Sequence, residues 1–240
     1  EFMWEPLAVR SLGSYTTTQN LYKNRYGNKI IFEEINHDLE LIFRYQWSSS
    51  NVFGFVKKSK LINTGNEAVK VCLLDGIQNI MPASIGSDEQ NQSSNLVDAY
   101  KRNELEEATG LGIFALSAIL VDKAEASEAL RANIVWSLGL ENPKHLLSSL
   151  QLNDFRLGKS LEQEVDVKAE KGAYFLTTDI FLEKGASKEW MIVANVHQNH
   201  SNIAKLSKQI RDDSSLLKKV NNDINLGTKR LVELNSASDA

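Results

Sequence analysis

The sequence predicts an all-β, antiparallel sandwich that ends in helices, and three observations carry the prediction. Apolar and polar residues alternate along "DLELIFRYQW", with Ile42 alone breaking the polar set. About a dozen β-rich segments follow one another at hairpin spacing, separated by turn residues. The alternation then gives way, from Ser201 onward, to apolar residues at helical spacing. Successive short strands with turn signals mark a sandwich, whereas strands regularly interleaved with helices would mark a parallel α/β sheet.

The elements follow in order. "KIIFEEI" is rich in β-branched residues, and "NHD" supplies a turn onto the next strand. In that strand Leu39, Leu41, Phe43, Tyr45 and Trp47 share one parity, so one face is expected to be buried and the other wet. "VFGFVKKSKLI" follows, and its lysines suggest a solvent-facing strand. "NTGN" tolerates positive φ and is expected to close a hairpin onto "EAVKVCLLDGI", which would complete a four-stranded meander. Residues 82–94 are polar and read as a long loop. "NLVDAYKRNELEEATG" fits neither period. "LGIFALSAILVD", apolar on both faces, suits the middle of a sandwich, with "KAEASE" as a charged turn onto "ALRANIVWSLGL".

"NPKHLLSSLQLNDFRLG" predicts a helix, with Pro143 at its first position and Leu146, Leu147 and Leu150 on one face. "EVDVKAE", "AYFLTTDIFL" and "EWMIVANVHQ" return to strand, the last two joined by "EKGASK". At the end, Ile203, Leu206 and Ile210 predict a helix capped by Ser201, and Leu217, Val220 and Ile224 predict another that breaks at Gly227. The predicted division is a sandwich over 1–200 and a helical linker over 201–240.

Composition narrows the function classes. The chain has 240 residues, a net charge of −4 and a pI near 5.7, so no general attraction to nucleic acid or anionic membrane is expected. No apolar run approaches the roughly 20 residues that span a bilayer. "EFMWEPLAVR" lacks a basic leader followed by an apolar block, which leaves the compartment open with the cytoplasm as a weak default. A single cysteine, Cys72 in "VKVCLLDG", rules out an intrachain disulfide framework and reads as a buried inert thiol.

No catalytic set is evident. A nucleotide-binding glycine loop and a G-x-S-x-G nucleophile elbow are both absent. Glu33-Glu34 and Glu106-Glu107 read as solvated charges rather than the paired carboxylates of a glycosidase. His197 and His200 in "HQNH" lack a third metal ligand, His37 reads as a turn residue, and His145 has no visible partner. No metal or cofactor is expected. Aromatic residues are the remaining candidates, because Trp and Tyr faces stack on the C–H side of a pyranose ring. Core packing accounts for Tyr45 and Trp136, each worth about 2–3 kcal/mol on burial. Trp47, Phe53, Phe55 and Trp190 are the candidate ligand-binding residues.

Four segments also carry a resemblance. "LIFRYQWSSSNVFGFVKKSKLINTGNEAVKVCLLDGIQNIMPA", "SNLVDAYKRNEL", "TGLGIFALSAILVDKAEASEALRANIVW" and "KGAYFLTTDIFLEKGASKEWMIVANV" resemble the N-terminal domain of cellobiose-phosphorylase-type glycoside phosphorylases and related glycosyl hydrolases. The resemblance runs from about Tyr22 to about Gln198, with "KLINTG" and "EKGASKEW" as its main motifs. It implies a β-supersandwich of the galactose mutarotase-like kind. It also implies a helical linker from Ser201, then an (α/α)6 barrel that holds the catalytic acid and is absent here. No catalytic residue transfers. The implied role is a non-catalytic module that supports the barrel, contacts carbohydrate and takes part in homodimer contacts. The alternatives are a free-standing carbohydrate-binding module, or an aldose epimerase of the mutarotase type. The His pair and carboxylate of that epimerase are not matched in position by "HQNH".

Overall fold

The computed structural model describes residues 3–118 and 130–238. The last four residues of "LGIFALSAILVD", the whole "KAEASE" turn and the first residue of "ALRANIVWSLGL" lie outside them. Twelve strands are seen among the described residues, all paired antiparallel. They are β1 (Thr17–Lys23), β2 (Lys29–Asn36), β3 (Leu41–Ser50), β4 (Gly54–Asn63), β5 (Val69–Ile80), β6 (Lys101–Glu106), β7 (Leu111–Leu116), β8 (Ala132–Leu138), β9 (Lys144–Leu146), β10 (Asp166–Lys168), β11 (Gly172–Leu182) and β12 (Ser187–Gln198). The helices are α1 (Ser87–Gln92), α2 (Ser94–Tyr100), α3 (Leu152–Arg156), α4 (His200–Asp212) and α5 (Leu216–Ser238). The chain is an all-β sandwich with a helical end.

Nine strands form the large sheet, in the order β1-β2-β3-β4-β12-β8-β7-β6-β10. A small sheet, β5-β11-β9, covers part of one face. Between the sheets lies a core built on Phe43, Leu61, Phe114, Trp190 and Ile192 from the large sheet and Leu73, Tyr174, Leu176 and Ile180 from the small one. On the opposite face, Val56, Ile134, Trp136, Met191 and Val193 meet Ile203, Leu206, Ile210, Leu216, Val220 and Ile224 of α4 and α5. The large sheet is therefore buried on both sides at its centre. This explains why Trp190 to Val193 are all apolar and show no alternation: successive side chains enter different cores.

Several expectations are corrected. Strand β5 does not hairpin onto β4. It leaves the large sheet after the "NTGN" turn and pairs with β11. Asn63 makes the crossing. Its buried side-chain amide donates to the carbonyls of Glu67, Leu182 and Glu183, and its Oδ1 accepts from the Gly65 amide. "KLINTG" and the "EKGASK" hairpin thus meet at one residue. Asn63→Ala is expected to lower stability by about 2 kcal/mol, because it strips partners from buried carbonyls; urea unfolding checks this.

The helix expected over the segment starting at Pro143 is mostly absent. Leu146 packs into one apolar cluster and Leu147 into another, so neighbouring residues point opposite ways, as in a strand. Helix is confined to α3. The predicted loop over 82–94 contains α1, and the ambiguous segment after it splits into α2 and β6. Asn199, not Ser201, caps α4 by accepting the Asn202 amide. Gly227 lies inside α5 and does not break it.

Candidate functional site

The small sheet has three strands and the large one nine, so the face of β3 and β4 is only partly covered. An open groove of about 1480 Å³ results. Its floor is β3 and β4, and one wall is β5, the uncovered edge of the small sheet. The other boundaries are the segment of residues 3–6 and residues 155–159 around the end of α3.

The odd-numbered stripe of β3 forms the floor. Leu41 and Phe43 are buried, Tyr45 is half-buried, and Trp47 is 37% exposed. The expected burial therefore fades along the strand as cover from the small sheet runs out. Phe55 of β4 is 55% exposed. In register, Trp47 faces Lys57 and Ser49 faces Phe55, so Trp47 and Phe55 are diagonal cross-strand neighbours at the open end. Tyr45 stacks on Phe32 at 4.9 Å between ring centroids. Its hydroxyl pKa is raised by burial and secondarily by the Asp75 charge.

The other two candidate residues do not belong to the groove. Trp190 is 1% exposed and lies in the core between the sheets. Phe53 packs edge-on against Trp136, 6.1 Å between centroids, in the core under α4 and α5. The turn that carries Phe53 directs it to the other face of the large sheet from Phe55.

A polar network sits at the centre of the floor. Lys57 Nζ donates to Asp75 Oδ1, and to the Gly76 carbonyl at 3.0 Å, and lies 5.2 Å from the Tyr45 ring centroid. Asp75 Oδ2 accepts from Ser59 Oγ at 2.8 Å and from Trp190 Nε1 at 2.7 Å. Lys57, Ser59 and Trp190 belong to the large sheet and Asp75 to the small one. The network therefore fastens the edge strand β5 over the groove floor. Lys57 is only 7% exposed, which corrects the expectation of a solvent-facing strand: its side chain points between the sheets while Lys58 and Lys60 point out.

Other charges are also more buried than expected. Glu33 and Glu34 were expected to be solvated, yet both are almost wholly buried. Glu33 accepts from Asn20, Tyr22 and Arg44, which together lower its pKa against the opposing effect of burial. Glu34 accepts from Trp4 Nε1, the Leu7 amide and Gln19 Nε2, and so anchors the N-terminal segment to β2. Cys72, expected to be buried, is exposed on the outer face of β5, because that strand alternates and its odd positions take the core.

The carboxylates that line the groove are Glu5, Asp75 and Asp179. Each is ion-paired: Glu5 with Arg10 and Arg156, Asp75 with Lys57, Asp179 with Lys70. No pair of groove carboxylates stands ready as acid and base. Among the described residues, no histidine lines this groove and no group of three or more His, Cys, Asp or Glu side chains is placed to hold a metal. His197 is the penultimate residue of β12 and His200 begins α4, so the two do not share a helical face. The groove is suited to binding a largely neutral ligand through aromatic faces.

A bacterial glucoamylase in complex with acarbose is similar over 89% of this chain and 28% of its own, at 11% identity and a TM-score of 0.47. A heparinase III is similar over 76% of this chain and 22% of its own, at 9% identity and a TM-score of 0.30. The chain spans less than a third of the length of either. Likenesses this distant assign neither substrate nor residue roles. No protein-family model and no curated protein matches the sequence.

Trp47 was legible as a candidate because it flanks the polar "SSSN" turn at residues 48–51, as does Phe53, which the structure places elsewhere; Phe55 was legible by residue type alone. The Asp75 network was not. Its sequence signal is a lone Asp in the apolar run "VKVCLLDG", 18 residues after one lysine of the run "VKKSK".

Proposed function

We propose that this chain is a non-catalytic sandwich module of a larger carbohydrate-active enzyme, of the glycoside phosphorylase or hydrolase type, and that its groove holds a gluco-oligosaccharide. The observation that carries the reading is the pairing of two exposed aromatic faces, Trp47 and Phe55, over a groove whose floor charges are already neutralised. Exposed aromatic surface forgoes the stabilisation of burial, so its concentration at the mouth of a groove favours a stacking ligand. Saturated ion pairs favour a neutral ligand and leave no free acid or base for chemistry. In this reading residues 1–200 are the sandwich, and residues 201–240 lead from it to a catalytic (α/α)6 barrel in the same polypeptide.

Calorimetric titration with gluco-oligosaccharides tests it. Trp47→Ala is expected to weaken binding about tenfold, equivalent to about 1.4 kcal/mol, with the unfolding midpoint unchanged. Binding that is equally strong in the variant would remove the groove from the proposal. Incubation with phosphate and cellobiose is expected to release no sugar 1-phosphate; turnover by this chain would overturn its non-catalytic assignment.

A further inference from the structure

Residues 3–7 cross the groove as a strap, and both walls hold them. On the large-sheet side Trp4 Nε1 donates to Glu34 Oε1 at 2.6 Å, and the Leu7 amide donates to Glu34 Oε2 at 2.8 Å. On the other side Glu5 is bound by Arg156 at the end of α3, through contacts of 3.1 and 3.4 Å. The helix α3 packs with Leu74 and Phe175 of the small sheet. Tyr15 adds a third tie, its hydroxyl donating to the Met3 carbonyl at 2.8 Å. Leu7 has φ of +64°, a conformation a leucine adopts only under constraint, and it ends the crossing.

The register fixes where the strap lies. Glu34 pairs with Phe43, and Ile30 pairs with Trp47. The strap therefore crosses at the level of Phe43, four residues, or about 13 Å at about 3.3 Å each, from Trp47. Trp4 packs on the inter-sheet core there. At that crossing the strap spans the groove from Glu34 to Arg156, whereas Trp47 and Phe55 stand exposed at its other end.

We infer that the strap makes the groove single-ended, so that it accepts short oligosaccharides or chain ends from the Trp47 side and excludes the interior of a polymer. This inference rests on the sugar-binding reading above, and adds to it the length and polarity of the ligand. Nothing about the strap itself depends on that reading: Glu34 and Arg156 hold it across the groove at the level of Phe43 whatever the groove holds.

The experiment has two arms and uses the full chain. The first needs no sugar. In a Cys72→Ser background, Phe43→Cys places a thiol under the strap, and its rate of modification by a thiol reagent is measured with and without Glu5→Ala/Arg156→Ala. Release of the strap is expected to raise the rate at least tenfold; equal rates would overturn the strap as a cover. Arg156→Lys, which keeps the charge, is expected to restore most of the protection. The second arm is calorimetry with cellobiose, cellotetraose and cellohexaose. In the parent chain the tetraose and hexaose are expected to bind within twofold of each other. The released variant is expected to favour the hexaose several-fold. A steady gain with length in the parent chain would overturn the single-ended groove. Protection in the first arm with no heat from any sugar would refute the sugar reading, and the length selection with it, while leaving the strap as a cover.

Discussion

Asp75→Ala is expected to lower the stability of the chain by about 3–5 kcal/mol, the characteristic cost of leaving one member of a buried ion pair without its partner. The folded state of a domain exceeds the unfolded by only about 5–15 kcal/mol, so this is a large fraction of the total. The cause is the concentration of partners on one carboxylate. Removing it leaves Lys57 charged between the sheets, and leaves Ser59 Oγ and Trp190 Nε1 without an acceptor. Asp75→Asn should cost less, since an amide oxygen still accepts from Ser59 or Trp190. Lys57→Met/Asp75→Leu should recover part of the loss by removing both charges, but not all of it, because Trp190 remains unsatisfied. Urea unfolding of the three variants orders them. An Asp75→Ala variant within 1 kcal/mol of the parent would show that water solvates the site and that the network does not fasten the sheets.

The same network explains why the groove was only half legible in the sequence. Alternation identifies strands and assigns parity, and it served well for β3, where Leu41 and Phe43 are buried as expected. It cannot tell how far an opposing sheet extends. Tyr45 and Trp47 have the parity of core residues, and emerge from cover because β5 is the last strand of a three-stranded sheet. Charge misled in the complementary way. Lys57, Glu33 and Glu34 were read as solvated because isolated charges are rarely buried, but each meets its partners from strands or segments distant in sequence. Asp75 is 18 residues from Lys57 and 115 from Trp190. Local spacing does not encode such pairings. The leucines after Pro143 failed for a related reason: helical spacing over five residues is also satisfied by a short strand that feeds two cores.

His145 provides the second large effect, a loss of stability in mild acid. The residue is the middle of β9 and is 7% exposed, with its ring 5.6 Å from that of Tyr174. Burial lowers its pKa from 6.5 to about 4, opposed only by a hydrogen bond with Gln163. A lowered pKa on a base means that the unfolded chain binds the proton more readily than the folded one. Stability is therefore fully present above pH 6.5, declines as pH falls from there towards 4, and declines no further from this residue below 4. The depth of the loss is about 3 kcal/mol, at about 1.36 kcal/mol for each pKa unit. Carboxylates held low by cationic partners, such as Asp213 at about 2 beside Lys219, act in the same direction but at lower pH. Glu33 and Glu189, also held low, begin to contribute near pH 4.5, so the upper part of the fall, between about 5 and 6.5, isolates the histidine. His145→Gln, which keeps a polar side chain without a titrating ring, should flatten the pH profile of the unfolding midpoint across that window while leaving its fall below pH 4 intact. An unchanged slope in the variant would mean that water reaches the imidazole, and that β9 does not seal this end of the small sheet.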